Sequence, residues 1–512
     1  MSATDANWGY ATVPQNTSCV KLEDSRCDYA VGHAVGGGTV INHMFVVRGN
    51  KRDYDSWEEM GNEGWGYDKL LEYFKLVEGV EIPSLQNSSY RGYAGPVPVN
   101  YPSHQTRVGQ RLLRAAAELG ASNADPNGAS QSGMWRIQGS TRGGRRASAF
   151  RNYLRRRPPH LQLRARALAT QVLFQGDRAV GVRYSRGGRT FDVFADKEVI
   201  VAGGPVNSPA LLLRSGVGPR SHLEQLGIPV VKDLPVGYNL QDHVGLPWLL
   251  VSMNTSEAPS VQRLLINPLN LEQYKLLHSG PYTMLGTLET IGLHDLEGTD
   301  FHSPDWPQVE ILYSSMSPVF SARSVKPFRF TEDTYKKLIE PVGNTPVFQA
   351  TVWRLRPRSR GRVSLRSADP ADAPLIDPQG LSDEEDVAVS VAGIRALQRV
   401  LRAPALREVD AQLLRTPLPG CEERPWDSDE YWRCALRMHG LTLYHPCCTN
   451  KMGPGADADA VVAPDLKVRG LKGLRVADTS VMPTLVSGHL QMAAYVIGEK
   501  AADLIKRDYP GL

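Results

Sequence analysis

Lys197 to Ala202 alternates into an apolar strand that runs into Gly203-Gly204, and Asn207-Ser208-Pro209-Ala210-Leu211-Leu212-Leu213-Arg214-Ser215-Gly216 follows at once. No other stretch restricts the fold as much. Ser208 suits a helix N-cap, Pro209 the first helical position and Gly216 the left-handed stop. A strand–turn–helix unit of this kind belongs to an α/β sheet that takes its ligands at the carboxyl ends of its strands. The tail repeats the pattern. Leu474 to Ala477 reads as a short strand with Asp478 at its ligand-facing end, and Leu490, Ala493, Ala494, Ile497, Ala501 and Leu504 recur at helical spacing to about Lys506. Gly488 and His489 are therefore expected at the N-terminus of the last helix, where unpaired N–H groups and the helix dipole favour negative charge.

Several further motifs surround this frame. Tyr444-His445-Pro446 precedes a Cys/Thr/Asn loop ending in Lys451-Met452-Gly453. Near the start, Gly36-Gly37-Gly38-Thr39-Val40-Ile41-Asn42 is followed by Val47-Arg48-Gly49-Asn50, Asp53-Tyr54-Asp55-Ser56-Trp57 and Gly61-Asn62-Glu63-Gly64-Trp65. Small residues in such a turn let backbone N–H groups close on a pyrophosphate or a flat ring, because no Cβ blocks the approach. A glycine triplet by itself usually marks only a turn. In the middle, Leu234-Pro235-Val236-Gly237-Tyr238-Asn239-Leu240-Gln241-Asp242-His243 stands just past the strand–helix unit.

Together these motifs resemble the glucose–methanol–choline (GMC) oxidoreductases over nearly the whole chain, and most of all their arthropod glucose dehydrogenase-like branch. The resemblance implies FAD-dependent removal of a hydride from a CH–OH group of an alcohol or sugar, with quinone or oxygen as electron acceptor. It assigns His445 as the base and His489 as its partner. A lone histidine is more often an ordinary core or surface residue, but here the family motifs fall in order around both. A neutral imidazole can take the hydroxyl proton and so push hydride away from the carbon, while a second polar group fixes that carbon in place. Gly37, Gly38, Thr39, Asn42, Met44, Ala169, Ala202, Gly203, Asp478, Gly488 and Leu490 are assigned to the cofactor. FAD is expected to be non-covalent, since His43 is the only histidine near the position where some relatives attach theirs. His243 is expected to be a structural hydrogen-bonder outside the reacting pair.

The chain also departs from the family. The Gly-x-Gly-x-x-Gly turn that sets a pyrophosphate on a helix N-terminus is not found in it. Trp8 to Gln15 resembles a segment that lies well after that turn in relatives. Val31-Gly32-His33 stands where relatives carry Arg-Gly-Lys, and Ala169 where many carry Val. Each lost charge-assisted phosphate contact removes roughly 1.5–3 kcal/mol, so FAD is expected to be held weakly and apolar strand edges to be exposed. The sequence is expected to be an incomplete copy of a longer protein. The alternative is a degenerate GMC-fold protein without FAD or turnover, acting in binding or regulation.

The fold expected is α/β, α+β overall: a discontinuous FAD-binding sheet domain with a substrate domain built on an antiparallel sheet. Residues 1–75 are expected to form part of the FAD domain and its lid, 155–245 and 441–512 the rest. Residues 76–154 and 246–440 are expected to form the substrate domain, where Pro307 to Ser314 and Gln349 to Arg356 alternate like strands roofing the flavin. Asp377-Pro378-Gln379 and Asp383-Glu384-Glu385-Asp386 read as a turn and an acidic helix start.

At 512 residues, 41% hydrophobic and 22% charged, the chain can bury sizeable cores. Its formal charge of +4 comes without a basic run for nucleic acid, and the arginines from Arg142 to Arg157 read as a solvated helix face. No apolar run reaches the roughly 20 residues that span a bilayer. Cys19/Cys27 and Cys421/Cys434 could each close a short loop as a disulfide. Cys447-Cys448 reads as a pair of small packing residues, since no second Cys or His pair supports a zinc site. With sequons at Asn16, Asn87 and Asn254, the branch-like motifs favour a secreted protein.

Overall fold

The computed structural model describes residues 4–255, 257–258, 261–317, 328–343 and 345–511. Helices α1 (Lys51–Glu59) and α2 (Tyr67–Val77) precede strand β1 (Gly133–Arg136). An antiparallel arm follows, β2 (Leu168–Gln175), β3 (Arg178–Arg186) and β4 (Arg189–Phe194), and then β5 (Val199–Val201) runs into α3 (Gly204–Arg214). The middle of the chain supplies β6 (Val244–Ser252), β7 (Leu288–His294), β8 (Val309–Ser314), β9 (Val347–Arg354) and α4 (Glu384–Leu401). Short strands β10 (Gln412–Leu413), β11 (Leu441–Thr442) and β12 (Leu474–Val476) lead to the last helix, α5 (Leu490–Asp508).

The antiparallel sheet expected from alternation is present, with strand order β10-β6-β9-β8-β7-β1 and β11 added alongside β6. Its two faces are set by the period of two. Val309, Ile311 and Tyr313 of β8, with Phe348, Ala350 and Val352 of β9, pack into one large core beneath α4. Leu312, Trp353, Ile291, Leu293 and Trp135 turn the other way and meet Phe45, Val47 and Leu285. Helix α4 begins where the acidic run indicates, with the Asp383 side chain accepting from the Glu385 N–H. It buries Val387, Ile394, Leu397 and Leu401 against the sheet, and each such side chain contributes about 1.5–3 kcal/mol by leaving water. The sheet is thus a roof with helix behind it.

The second layer is parallel. Val199, Ile200 and Val201 of β5 pair in register with Leu474, Arg475 and Val476 of β12, so the two strands end side by side. Val201, Val476, Leu212 and Val496 share a core with Trp57, Trp65 and Phe74. Val77, Val80, Val97 and Val99, within the segment expected on the substrate side, pack into this core as well. The N-terminal stretch was expected to join the parallel sheet; instead Tyr10–Ala11 pairs antiparallel with Asp28–Tyr29. Among the described residues the parallel sheet has two strands, and Ile200 at its middle is 45% exposed, as a parallel strand with an uncovered face must be.

Three local expectations change. Helix α3 starts at Gly204 with Gly203 as cap, and Ser208 lies inside it. The reason is a nearer partner: the Ser208 hydroxyl donates to Asp478 Oδ2 at 2.5 Å and accepts from the Gly203 N–H at 2.8 Å. The stop at Gly216, with φ of 82°, stands as expected. Arg142 to Arg157 is not one helix face but a tight hairpin, Thr141–Arg142 with Arg145–Arg146, and a short turn of helix over Phe150–Leu154. Cys19–Cys27 and Cys421–Cys434 are bridged, and Cys447–Cys448 is bonded too rather than free. The left-handed backbone at Cys448, φ 78°, turns the two neighbours together inside the core.

A wholly buried charge cluster ties the segment before α1 to the end of α2. Arg48 donates to both oxygens of Glu78 at 2.8 and 2.6 Å, and Arg91 reaches the same carboxylate at 3.3 Å. Removing this acid would leave Arg48 without its paired carboxylate and Arg91 with only Asp125, 3.7 Å away, so Glu78→Gln is expected to cost about 3–5 kcal/mol. A urea unfolding midpoint unchanged from that of the unmodified protein would refute this.

Candidate active site

His445 and His489 come from opposite ends of the tail and meet edge to face, ring centroids 4.7 Å apart. His489 caps α5, as its place in the sequence indicated. His445 is delivered by an antiparallel ladder. β11 pairs with the start of β6, the Leu443 N–H donates to His243 O at 2.8 Å, and Cys447 and Gln241 exchange backbone bonds. Between these pairings the later segment carries extra residues, absorbed at Tyr444 by a left-handed backbone, φ 61°. That kink aims the next side chain, His445, at the roof.

The surroundings are rich in imidazole. Phe45 stacks edge-on to His489 at 4.9 Å and His43 lies 5.9 Å beyond Phe45. His489 Nε2 is 3.1 Å from Glu310 Oε1, and the other oxygen of that buried carboxylate has no protein partner. Burial holds the His445 ring well below the usual imidazole range, and the nearby His489, His243 and His43 push the same way. Burial likewise lowers the wholly enclosed His243 to about 3, while His43 is exposed at the rim. His445 is therefore a neutral ring, the form that can accept a proton.

The residues assigned to the cofactor form two groups. Gly37, Gly38 and Thr39 make a tight turn next to the Arg146 side chain, which bonds Thr39 O at 3.1 Å and Asn42 Oδ1 at 2.9 Å. The Asn42 amide also donates to Gln491 at 2.6 Å, tying the turn to the first turn of α5 and to Leu490. Met44 takes a left-handed backbone, φ 65°, and its carbonyl accepts from Ser140. Gly488 is small for another reason: a Cβ there would stand 2.7 Å from the Gly49 nitrogen. The second group, Ala202, Gly203 and Asp478, lies where β5 and β12 end. Asp478 Oδ2 accepts from the Gly204 N–H at 2.9 Å. The loop after His445 joins the groups, through Cys448 N to Thr479 O and Asn450 N to Ser480 O. Ala169 lies apart, on β2 of the antiparallel arm opposite Tyr184.

These residues suit the ring and ribityl side of a flavin. A Cβ added at Gly37, Gly38 or Gly204 would meet nothing within 4 Å, so open space adjoins both turns. The first turn of α5 offers amide hydrogens with no intrahelical acceptor, suited to negative charge.

Sequence reasoning missed Glu310; His243, expected as a structural hydrogen-bonder, is one, with its Nδ1 2.9 Å from His445 Nδ1. Glu310 did leave a signal, as the one acid at an inward position of an apolar strand.

The buried neutral rings make a pH prediction. Folding lowers the wholly buried His243 from 6.5 to about 3, so its contribution to stability is complete above pH 6.5 and is lost as pH falls toward 3. His243→Gln lacks that ring, so the stability gap between unmodified protein and variant should shift against the unmodified protein by about 3 kcal/mol between pH 7 and pH 4. Urea unfolding of both proteins at the two pH values measures it, and a constant gap would show that the ring is not held neutral.

Comparison with known proteins agrees with this geometry. Two family models, both described as GMC oxidoreductase, match residues 11–245 and 357–498. Glucose dehydrogenase [FAD, quinone] of Drosophila pseudoobscura pseudoobscura is 34% identical over 511 residues, covering 98% of this chain and 79% of that protein. Human mitochondrial choline dehydrogenase is 33% identical over 524 residues with the same coverage, 98% and 79%. An FAD-dependent oxidoreductase from Chaetomium thermophilum superposes with a TM-score of 0.83 at 30% identity, covering 99% of this chain and 91% of that one. With both ends of its sequence and its whole frame matched, the chain belongs to the GMC oxidoreductases.

Proposed function

We propose that this protein oxidises the CH–OH group of a small alcohol or sugar, with non-covalently held FAD as hydride acceptor, His445 as base and His489 as its partner. The observation that carries the reading is the meeting of the two rings, 4.7 Å apart, beneath the antiparallel roof and at the N-terminus of α5. Gly37, Gly38 and Thr39 would hold the cofactor on one side, and Ala202, Gly203 and Asp478 on the other. Bound FAD supplies an electron-poor ring to which the carbinol hydride goes. His445, kept neutral by burial, takes the hydroxyl proton. His489, anchored through Glu310, shares the oxygen and orients the carbon. The apolar roof of Trp135, Leu312 and Trp353 keeps water from the alkoxide as it forms. Quinone or oxygen is proposed as the final electron acceptor.

Secretion is proposed as well, supported by the Cys19–Cys27 and Cys421–Cys434 bridges and by exposed Asn16 and Asn87. The third sequon ends at Ser256, outside the described residues. Among the described residues no helix is long and apolar enough to cross a membrane.

Anaerobic stopped-flow reduction of FAD-loaded protein by an alcohol tests the assignment. His445→Ala should slow reduction by roughly two to four powers of ten. His489→Ala should cost less, and His489→Asn least, because an amide still shares the hydroxyl. Reduction by His445→Ala at the unmodified rate would move the base role to His489.

The same rings set the acid limit. Because His445 lies well below 6.5, the reduction rate should stay level from pH 8 to pH 6 and fall only in stronger acid, where the ring protonates. A fall centred near 6.5 would mean that the base is an unperturbed histidine.

A further inference from the structure

We propose that His243 is a positioning residue that fixes His445 in the tautomer whose Nε2 carries a bare lone pair. The proposal rests on His445 being the base and adds what decides which of its two nitrogens does the work.

The assignment follows from counting donors. His243 is completely buried. Its Nε2 lies 2.9 Å from the Leu355 carbonyl oxygen, which can only accept, so Nε2 must carry a proton. The Val486 carbonyl also stands beside this ring, but the contact with hydrogen-bond geometry is the one to Leu355. A neutral imidazole has one N–H. With Nε2 protonated, His243 Nδ1 is a bare acceptor, and it lies 2.9 Å from His445 Nδ1. Two bare nitrogens at that distance would repel, so the proton between them belongs to His445 Nδ1. What remains on His445 is Nε2, unprotonated and free to receive a substrate proton. The chain of bonds runs from His445 Nδ1–H to His243 Nδ1, and from His243 Nε2–H to Leu355 O. Burial keeps both rings neutral, which the count requires.

The neighbouring residue completes the hold. Asp242 Oδ1 accepts from the His445 backbone N–H at 2.9 Å, and its other oxygen accepts from the Thr442 hydroxyl. Two consecutive residues just before β6 thus hold His445 twice, the Asp242 carboxylate at its backbone N–H and the His243 ring at its side chain. Both face their target because the segment through Tyr444 runs antiparallel to their own.

A neutral imidazole acceptor differs from a carboxylate in this place. A carboxylate would raise the basicity of His445 and draw it toward the charged form before substrate arrives. His243 orients the ring without adding charge, so the base waits unprotonated.

The test uses the FAD-loaded full chain carrying ¹⁵N-labelled histidine. Nuclear magnetic resonance of the unmodified protein should show His445, identified by its loss in His445→Ala, as the Nδ1–H tautomer. An Nε2–H tautomer overturns the proposal without any variant of His243. In His243→Leu, whose side chain accepts nothing, His445 should become a mixture of tautomers, and anaerobic flavin reduction should slow by about 10- to 100-fold, the scale of a misplaced reacting group. His243→Asn puts an amide oxygen near the lost Nδ1 and should restore both the single tautomer and most of the rate. His243→Leu with the unmodified rate and tautomer, or His243→Asn no better than His243→Leu, refutes the positioning role. His445→Ala separates the two claims. If it reduces flavin at full rate, the base assignment has failed; if it is slow while His243→Leu is fast, only the proposal here has.

Discussion

The active site hangs on one buried carboxylate, Asp53. Its Oδ2 accepts the backbone N–H of Asn50 at 2.7 Å and of Ser487 at 2.6 Å, while Oδ1 accepts from the Ser487 hydroxyl and the Trp306 indole. One side chain therefore joins the cap of α1, the approach to β8 of the roof and the loop that carries Gly488 and His489. Burial raises its pKa more than the attraction of Arg356 lowers it, and Arg356, stacked 4.1 Å over Trp306, is itself lowered to about 10. A charge pair shifted this way costs folding free energy rather than adding to it. What it secures is position, since the roof cannot slide against the helix that presents His489 without breaking four hydrogen bonds to Asp53.

His445 is held by the second such device, the ladder between β6 and the tail, and the two devices share no residues. That separation matters for the chemistry. The base and its partner must stay at a fixed distance while a substrate carbon is seated between them and the cofactor, and small displacements cost large factors in rate. Rings set on two independently anchored segments of one buried interface satisfy this. Loops alone would not, because their low-energy openings would let the rings drift.

How much of this could be read from residues depends on how local each cause is. The strand–turn–helix at β5 and α3, the strand before Asp478, the last helix with His489 at its cap and the start of α4 at Asp383 all follow from spacing, glycine and capping chemistry within a few positions. Those were legible. The two histidines proposed as base and partner could be singled out only because flanking motifs resemble those of a known family. Ser208 misled because its hydroxyl satisfies a carboxylate 270 positions away in sequence instead of a helix end beside it. Asp53 and Glu310 escaped assignment for the same reason, and His243, expected as a structural hydrogen-bonder, could not be given its partner. Each is an ordinary polar residue until the chain brings its partner to it, and nothing within a few residues names that partner. The bond between Cys447 and Cys448 is the converse case, adjacent in sequence and missed because the turn that brings the sulfurs together depends on a left-handed residue that the sequence does not announce.

The imidazole cluster shows why burial, which destabilises charge, is an asset here. His489, His243 and His43 surround His445, and a protonated ring among them would disfavour protonation of His445. His445 and His243 are therefore held neutral, and their order comes from which nitrogen faces which acceptor. Leu355 O terminates one line of bonds and Glu310 anchors another. In the proposed reaction the substrate hydroxyl enters where these lines leave an acceptor open, between His445 and His489. Once His445 has the proton, the cluster holds a charge that it was built to refuse, and this favours prompt return of the proton to solvent when product leaves. The same burial that keeps the base ready thus also drives its reset.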